Sequence, residues 1–250
     1  VGAHVMTQLY IESEGKFEDV VAYGGWTMDD HHPAGFYCAK VGHPATIFHP
    51  APSPYGITYR ALYSRNIDNL MFAGRCASAT HAAMSSTRLM GTGCSMGQAV
   101  GIAAALAKKH SVSVADVGAK HLDELQQALL RDDAYIPWVK RQLSPLTSSA
   151  RLEASQGDPE PLRDGINRTV GETPHCWECS PGDSVTYTFE RPSRVSEVSL
   201  VLDTAMDKST AMTYHHSSPL NVTTVPDVTP RSLRVEGLSG GKWEPIFETT

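Results

Sequence analysis

Asn69–Leu106 reads NLMFAGRCASATHAAMSSTRLMGTGCSMGQAVGIAAAL, and its order of residue types points to one local architecture. Asn69-Leu70-Met71-Phe72-Ala73 is a continuous apolar run closed by Gly74, the pattern of a strand buried on both faces in the middle of a sheet. A Gly-Arg turn and a polar loop follow. From Cys94 to Lys109 the chain is almost free of charge and rich in Ala and Gly. This predicts a buried helix whose small residues permit close backbone approach, with Lys108 and Lys109 complementing its C-terminal dipole. The first turn of such a helix leaves backbone N–H groups unpaired and favours negative charge, so an electron-rich group is expected there.

Upstream, Glu18–Tyr23 reads as a short strand running into Gly24-Gly25-Trp26. Between Thr27 and Tyr59, Pro44, Pro50, Pro52 and Pro54 forbid a continuous helix, and an irregular functional loop or linker is expected. Downstream, the spacing of Leu122, Leu125 and Leu129 predicts an amphipathic helix over 119–131. Composition turns polar after Leu143, which predicts one domain over 1–143, a linker over 144–164 and a second domain over 165–250. In that second part, Ser184–Phe189, Val195–Leu202, Ser232–Val235 and Trp243–Phe247 read as short strands, an all-β module expected to be cut short at Thr250. The fold class expected is therefore α+β, followed by an all-β jelly-roll-like domain.

The 250 residues suffice for one large or two ordinary domains, with 41% hydrophobic and 19% charged residues in the range of soluble globular proteins. A formal net charge of -6 argues against nucleic acid as a partner, which needs a clustered positive field. No apolar run approaches the roughly 20 residues of a membrane span. The chain opens at Val1 with no basic n-region or apolar h-region, and reads as a mature product or a fragment. Cys38, Cys76, Cys94, Cys176 and Cys179 are too few and too scattered for a disulfide-stapled secreted domain.

Five ordered motifs carry a family resemblance: Gly56–Arg60 (GITYR), Asn69–Arg75 (NLMFAGR), Ser78–His81 (SATH), Ser86–Arg88 (STR) and Gly97–Leu106 (GQAVGIAAAL). Before them, Trp26–Pro33 (WTMDDHHP) forms an acidic and His-rich loop. Over roughly residues 15–137 the chain resembles the C-terminal half of bacterial FAD-dependent oxidoreductases of the fumarate-reductase and succinate-dehydrogenase-like superclass. The resemblance implies an oxidoreductase that moves a hydride between FAD and a small organic substrate, a sugar-related compound among the candidates. It implies that Gly74 and Arg75 lie against the ribityl-diphosphate part of FAD, with Ser78 among the cofactor contacts. Many flavoproteins carry a carboxylate after that Gly; Arg75 departs from the wider pattern and agrees with the closer subfamily. Gly93, Ser95, Met96, Gly97 and Gln98 would set the helix N-terminus against the pyrimidine end of the flavin, where reduction places negative charge. His81, Arg60 and Arg88, with His31 and His32, are the candidates for the substrate side, supplying a group that moves a proton and cations that hold an oxyanion or carboxylate.

Other signals compete. Gly93-Cys94-Ser95-Met96-Gly97 fits the G-x-S-x-G elbow of serine hydrolases, with Asp116 or Asp132 and His175 as partners, but an elbow needs a strand directly before the serine and Ser85–Thr92 is a poor one. Cys176-Trp177-Glu178-Cys179 is a lone C-x-x-C that His175, His215 and His216 would complete as a zinc site only at irregular spacing, so two thiols in a β-rich turn is the preferred reading. The run Gly182–Phe189 with Asn167, Arg168 and Trp177 looks like a discoidin-type jelly roll, which supplies a carbohydrate-binding or docking module as a non-catalytic alternative. Asn167-Arg168-Thr169 and Asn221-Val222-Thr223 are glycosylation sequons that matter only in a secretory context. No G-x-G-x-x-G occurs, so the dinucleotide-binding unit that would hold the adenosine half of FAD is expected to lie outside this sequence.

Overall fold

A computed structural model describes residues 1–203 and 230–249, which fall into two compact units, Val1–Phe189 and Glu190–Thr250. The first unit opens with α1 (Gln8–Glu12), whose N-cap Thr7 accepts a hydrogen bond from the Tyr10 amide. β1 (Val20–Gly24) follows as expected. The Pro-rich stretch after it, expected to be irregular, instead carries β2 (Met28–His31), a 3₁₀ segment over Gly35–Val41, β3 (Thr46–His49) and β4 (Tyr55–Thr58). β2 pairs antiparallel with β3, Met28 opposite His49, and β1 pairs antiparallel with β4, Gly24 opposite Tyr55. Pro33, Pro44, Pro50, Pro52 and Pro54 all stand between the strands, where a missing N–H costs no ladder bond.

Asn69–Ala73 corrects the expectation of a central strand. Met71 makes an isolated bridge with Tyr63, Leu70 is exposed, and Met71–Ala73 are half-buried, no strand among the described residues flanking them on the other side. α2 (His81–Thr87) and α3 (Met90–His110) meet at a 92° bend across Arg88 and Leu89. α3 begins four residues before the expected Cys94, and only one face of it is buried. Thr92, Met96, Ala99, Ala103 and Leu106 point inward at helical spacing, while Cys94, Gly97, Gly101, Ala104 and Ala105 are exposed. Low charge on both faces makes the bare side look like a core-facing one in the sequence.

The helix expected over 119–131 is a pair, α4 (Val114–Lys120) and α5 (Leu122–Arg131), parted at His121. α3 and α5 pack on β1, and the Gln126 amide fastens them by donating to Glu18 O at 3.0 Å and Val20 O at 2.9 Å. Tyr59, fully buried, donates from its hydroxyl to Val114 O at 2.7 Å. Its ring lies so close to α4 that a Cβ on Gly118 would meet Tyr59 Cδ1 at 2.7 Å. These contacts join the helices and the β1–β4 ladder around one core built from Met6, Ile11, Tyr55, Ile57, Leu62, Met96, Leu125 and Leu129.

α6 (Pro145–Ser149) and the antiparallel pair β5 (Arg151–Ala154) and β6 (Val185–Thr188) complete this unit, so residues 144–189, where a linker and the start of a second domain were expected, cluster with the first unit. In the second unit, β7 (Leu233–Ser239) and β8 (Lys242–Thr249) form a hairpin closed by Gly240-Gly241, both at positive φ (58° and 81°), the backbone that a two-residue hairpin turn requires. Val195–Leu202, expected as a strand, has no regular structure and is exposed. His215, His216 and the sequon at Asn221 lie outside the described residues. Among the described residues no single helix is long and apolar enough to cross a membrane.

Candidate active site

β2 and α2 form the platform of the candidate site. Ser86 Oγ donates to Trp26 O at 2.5 Å, so its one proton is committed and the Tyr55 hydroxyl 2.6 Å away must donate to it. Burial pushes the Tyr55 phenol up to about 12, which keeps it a donor at neutral pH. The chain Tyr55–Ser86–Trp26 thereby holds α2 against the segment leading into β2. At the C-terminal end of α2, Arg88 Nη2 donates to Asp29 O at 3.1 Å and Asp29 Oδ2 at 3.3 Å. At its N-terminal end, His81 Nε2 lies 2.8 Å from Asp30 Oδ1 and 3.2 Å from His31 O. A carbonyl oxygen only accepts, so Nε2 carries a proton, and Nδ1 is left as the ring's other nitrogen.

Asp29 and Asp30 are half-buried, and the Oδ1 atom of each is buried without a hydrogen bond of good geometry. Each of these oxygens faces an imidazole instead, Asp29 Oδ1 toward His31 Nε2 at 3.3 Å and Asp30 Oδ1 toward His81 Nε2 at 2.8 Å. Two under-satisfied carboxylate oxygens beside two imidazoles and a guanidinium make a polar cluster with unused acceptor capacity. The sequence flagged the His-rich loop but not Asp29 and Asp30 as the residues that orient it; their adjacency on a strand facing α2 emerges only from the β2–β3 register.

Two further expected substrate-side residues are engaged with other partners. Arg60 is engaged with Asp19, Nε to Oδ2 at 3.0 Å and Nη2 to Oδ1 at 3.1 Å, while the Arg60 amide and the Thr58 hydroxyl also donate to Oδ2. Burial alone would raise the Asp19 carboxyl, but the hydrogen bonds from Arg60 and Thr58 override it and hold it below the usual carboxylate range. Arg60 is thus a structural cation of the core's edge. His32 accepts from the Ala34 amide through Nδ1 at 3.1 Å and stacks on His43, away from the His81 contacts.

The second half of the site starts two residues after Arg88. The N-cap of α3 is Leu89, which offers no side-chain hydrogen bond, so the first-turn amides at Met90 and Gly91 have no capping partner. Met90 and Gly91 are exposed, and a Cβ on Gly91 would meet nothing within 4 Å. The Gly74–Cys76 turn packs against α3, with Gly74 in the left-handed region (φ 57°). A Cβ on Gly93 would come within 3.3 Å of Gly74 Cα, a tight contact, whereas Gly74 is required by its left-handed backbone, its own Cβ standing 3.9 Å from Gly93 Cα. Arg75 is exposed beside it. An uncapped, uncharged helix end with open space above it and a cation at its side fits a flat, electron-rich group such as a flavin, with a phosphate near the guanidinium.

Other expected cofactor contacts shift with the true start of α3. Met96 is wholly buried in the core, and Ser78 is buried with its Oγ accepting from the Gly2 amide at 3.0 Å. Gln98 donates to Asp132 O at 2.8 Å and to Asp132 Oδ2 at 3.2 Å. Ser95 lies inside the helix, donating back to Gly91 O at 3.2 Å, and Gly97 is exposed one turn beyond Gly93. The hydrolase elbow is thereby corrected: α2 rather than a strand leads into this region, and His175 is paired with Asp164 at 2.5 Å. Cys176 and Cys179 are both exposed.

A family model described as FAD dependent oxidoreductase matches residues 1–129, just over half of the 250-residue chain. That span contains His31, His81, Arg88, Gly74, Arg75, Gly93 and the whole of α3. No curated protein and no solved structure matches the chain.

Proposed function

Since the chain belongs to the FAD dependent oxidoreductase family and its cofactor is FAD, we propose that it takes part in hydride transfer between FAD and a small organic substrate, with the two halves of the site in separate roles. The observation that carries this reading is the succession of the two halves along the chain: α2 carries the His81–Asp30 pair at its N-terminal end and the Arg88–Asp29 pair at its C-terminal end, and the uncapped N-terminus of α3 begins two residues after Arg88. FAD, when bound, supplies the hydride chemistry that no side chain offers.

On the cofactor side, Gly74 and Gly93 leave the approach open, Arg75 would supply a cation for a phosphate, and the first-turn amides of α3 would hold the electron-rich ring. On the substrate side, the His31 carbonyl accepts the Nε2 proton of His81 and the Asp30 carboxylate stands beside that nitrogen, so Nδ1 takes up or delivers a proton at the substrate. Arg88 uses Nη2 on Asp29 and retains further N–H donors for a substrate oxyanion or carboxylate. His31, exposed and paired with Asp29, is placed to reinforce that anion-binding edge.

The test is anaerobic reduction of the FAD-loaded protein by a panel of small hydroxy and carboxylate compounds. With a compound that reduces it, His81→Gln is expected to keep the cofactor and slow reduction about a hundredfold or more, the scale of a lost proton-transfer group. Equal reduction rates for both proteins across the pH range would remove His81 from the mechanism.

A further inference from the structure

At the opposite end of α3, about 30 Å from its N-terminus at 1.5 Å per residue, three side chains with metal-ligating atoms converge. His110 is the last residue of α3, and Ser111 turns the chain through a left-handed φ of 55°. α4 then returns it so that the His121 ring stacks on His110, centroids 4.0 Å apart and planes within 10°. Glu124, in the first turn of α5, places Oε2 2.7 Å from His110 Nε2 and 3.7 Å from His121 Nδ1. The ligand atoms of the three residues all lie within 4.8 Å of one another, and all three residues are half-buried.

We propose that His110, His121 and Glu124 form a binding site for a divalent transition-metal ion of the zinc class, clamping the C-terminus of α3 to the N-terminus of α5. A tetrahedral ion about 2.0–2.1 Å from each nitrogen or oxygen sets its ligand atoms roughly 3.3 Å apart, between the 2.7 and 3.7 Å separations present here. Those two separations are the ones Glu124 makes; the two imidazoles, stacked with planes within 10°, must turn out of that stack for both nitrogens to point at one ion. Two borderline imidazole nitrogens with one hard carboxylate oxygen are a mixed donor set that suits zinc, cobalt or nickel and disfavours magnesium and calcium, which take all-oxygen shells.

The positions of the residues add to the case. His121 is the N-cap of α5, a place where Ser, Thr or Asp would satisfy a helix amide, yet its side chain makes no capping bond and its Nδ1 faces Glu124. Lys109 holds the other carboxylate oxygen, Oε1, at 2.6 Å, leaving Oε2 to the histidines. Glu124, like any glutamate with an ordinary pKa of about 4.3, is an anion at neutral pH. Three protein ligands leave the fourth tetrahedral position for water, and burial of all three is partial, which gives the ion a route in.

The experiment titrates the full 250-residue chain, stripped with a chelator, with Zn²⁺ by calorimetry and with Co²⁺ as a visible-absorption reporter. A saturable site is expected whose affinity falls on the order of 10- to 100-fold or more in each of His110→Ala, His121→Ala and Glu124→Gln, since losses of that size already follow from removing mere outer partners of a ligand. Lys109→Met is the discriminating control: it removes a competitor for Glu124, so Zn²⁺ affinity is unchanged or higher, and the Zn²⁺-induced rise in Tm persists. The many other imidazoles of the chain make the comparison between variants decisive. Equal Zn²⁺ affinity in the parent chain and in Glu124→Gln and His121→Ala overturns the proposal, as does a parent Tm that responds to Mg²⁺ as it does to Zn²⁺. Should either alanine variant fail to fold, Glu124→Gln, at a half-exposed carboxylate, decides between the same two outcomes.

Discussion

Asp19→Asn tests whether Arg60 belongs to the frame of the protein, as its contacts state, or to the substrate. Asp19 accepts four hydrogen bonds, from Thr58 Oγ1 at 2.5 Å, the Arg60 amide at 3.1 Å, Arg60 Nε at 3.0 Å and Arg60 Nη2 at 3.1 Å. Asparagine retains one acceptor oxygen but turns an NH₂ toward the guanidinium. Bonds to a charged group contribute roughly 1.5–3 kcal/mol each when buried. The Arg60 side chain is 45% exposed, however, so solvent screening discounts its two side-chain bonds. The expected loss is about 2–3 kcal/mol at pH 7, below the ~3–5 kcal/mol of a fully buried broken pair. The pH dependence gives the sign. A carboxyl held below its unfolded value of about 3.9 contributes stability that is fully present above that value and lost as pH falls through the folded one. The gap between the parent chain and Asp19→Asn is therefore full at pH 7 and at pH 5, and closes under stronger acid. Urea unfolding followed at pH 7, 5 and 3 measures it. A gap under about 0.5 kcal/mol at pH 7, the scatter of an ordinary surface substitution, or one that stays constant down to pH 3, refutes the assignment of Arg60 to the core's edge.

Gly118→Ala places a methyl group 2.7 Å from the Tyr59 ring, and because Tyr59 is fully buried and tied to Val114 O, the ring has no room to yield. A loss of about 1–3 kcal/mol is expected, read as a drop in urea midpoint; an unchanged midpoint would mean that α4 moves freely over Tyr59. Ser95→Ala removes a hydroxyl that only bonds back to Gly91 O within α3, so reduction of the FAD-loaded protein is expected to continue at close to the parent rate. Complete loss of turnover with flavin retained would restore the nucleophile reading that the helix geometry argues against.

Local signals in the sequence carry β1, the body of α3 and the Gly74–Arg75 turn, because each depends on spacing within a few residues, whereas the candidacy of His81 and Arg88 comes from the resemblance of whole motifs. The start of α3 is not legible, because Leu89 is not a capping residue and Met90-Gly91-Thr92-Gly93 lacks any N-terminal signature. Starting the helix at Cys94 displaces the cofactor contacts by a turn and assigns Met96, a core residue, to the ligand side. Asn69–Ala73 reads as a central strand because a short apolar run carries no information about whether neighbours flank it. The Asp19–Arg60 pair spans 41 residues and the Arg88–Asp29 pair 59; partners that far apart are set by tertiary packing. His110, His121 and Glu124 follow no familiar ligand spacing, since a helix end, a left-handed turn and a second helix bring them together.

Whether the uncapped N-terminus of α3 faces FAD is read by Gly91→Asp. Gly91 is exposed, with open space where a Cβ would stand, so the substitution clashes with nothing. Replacing a helical glycine and adding a carboxylate to the first turn both favour the helix, by roughly 0.5–1 and 0.3–1 kcal/mol respectively. The same carboxylate would meet the electron-rich ring and phosphates of FAD across a short distance. FAD affinity, measured by fluorescence titration alongside Tm, is expected to be weak but saturable in the parent chain and to fall about tenfold or more in Gly91→Asp, while Tm holds or rises. Saturable binding of equal strength in both proteins, or none in the parent, would contradict it.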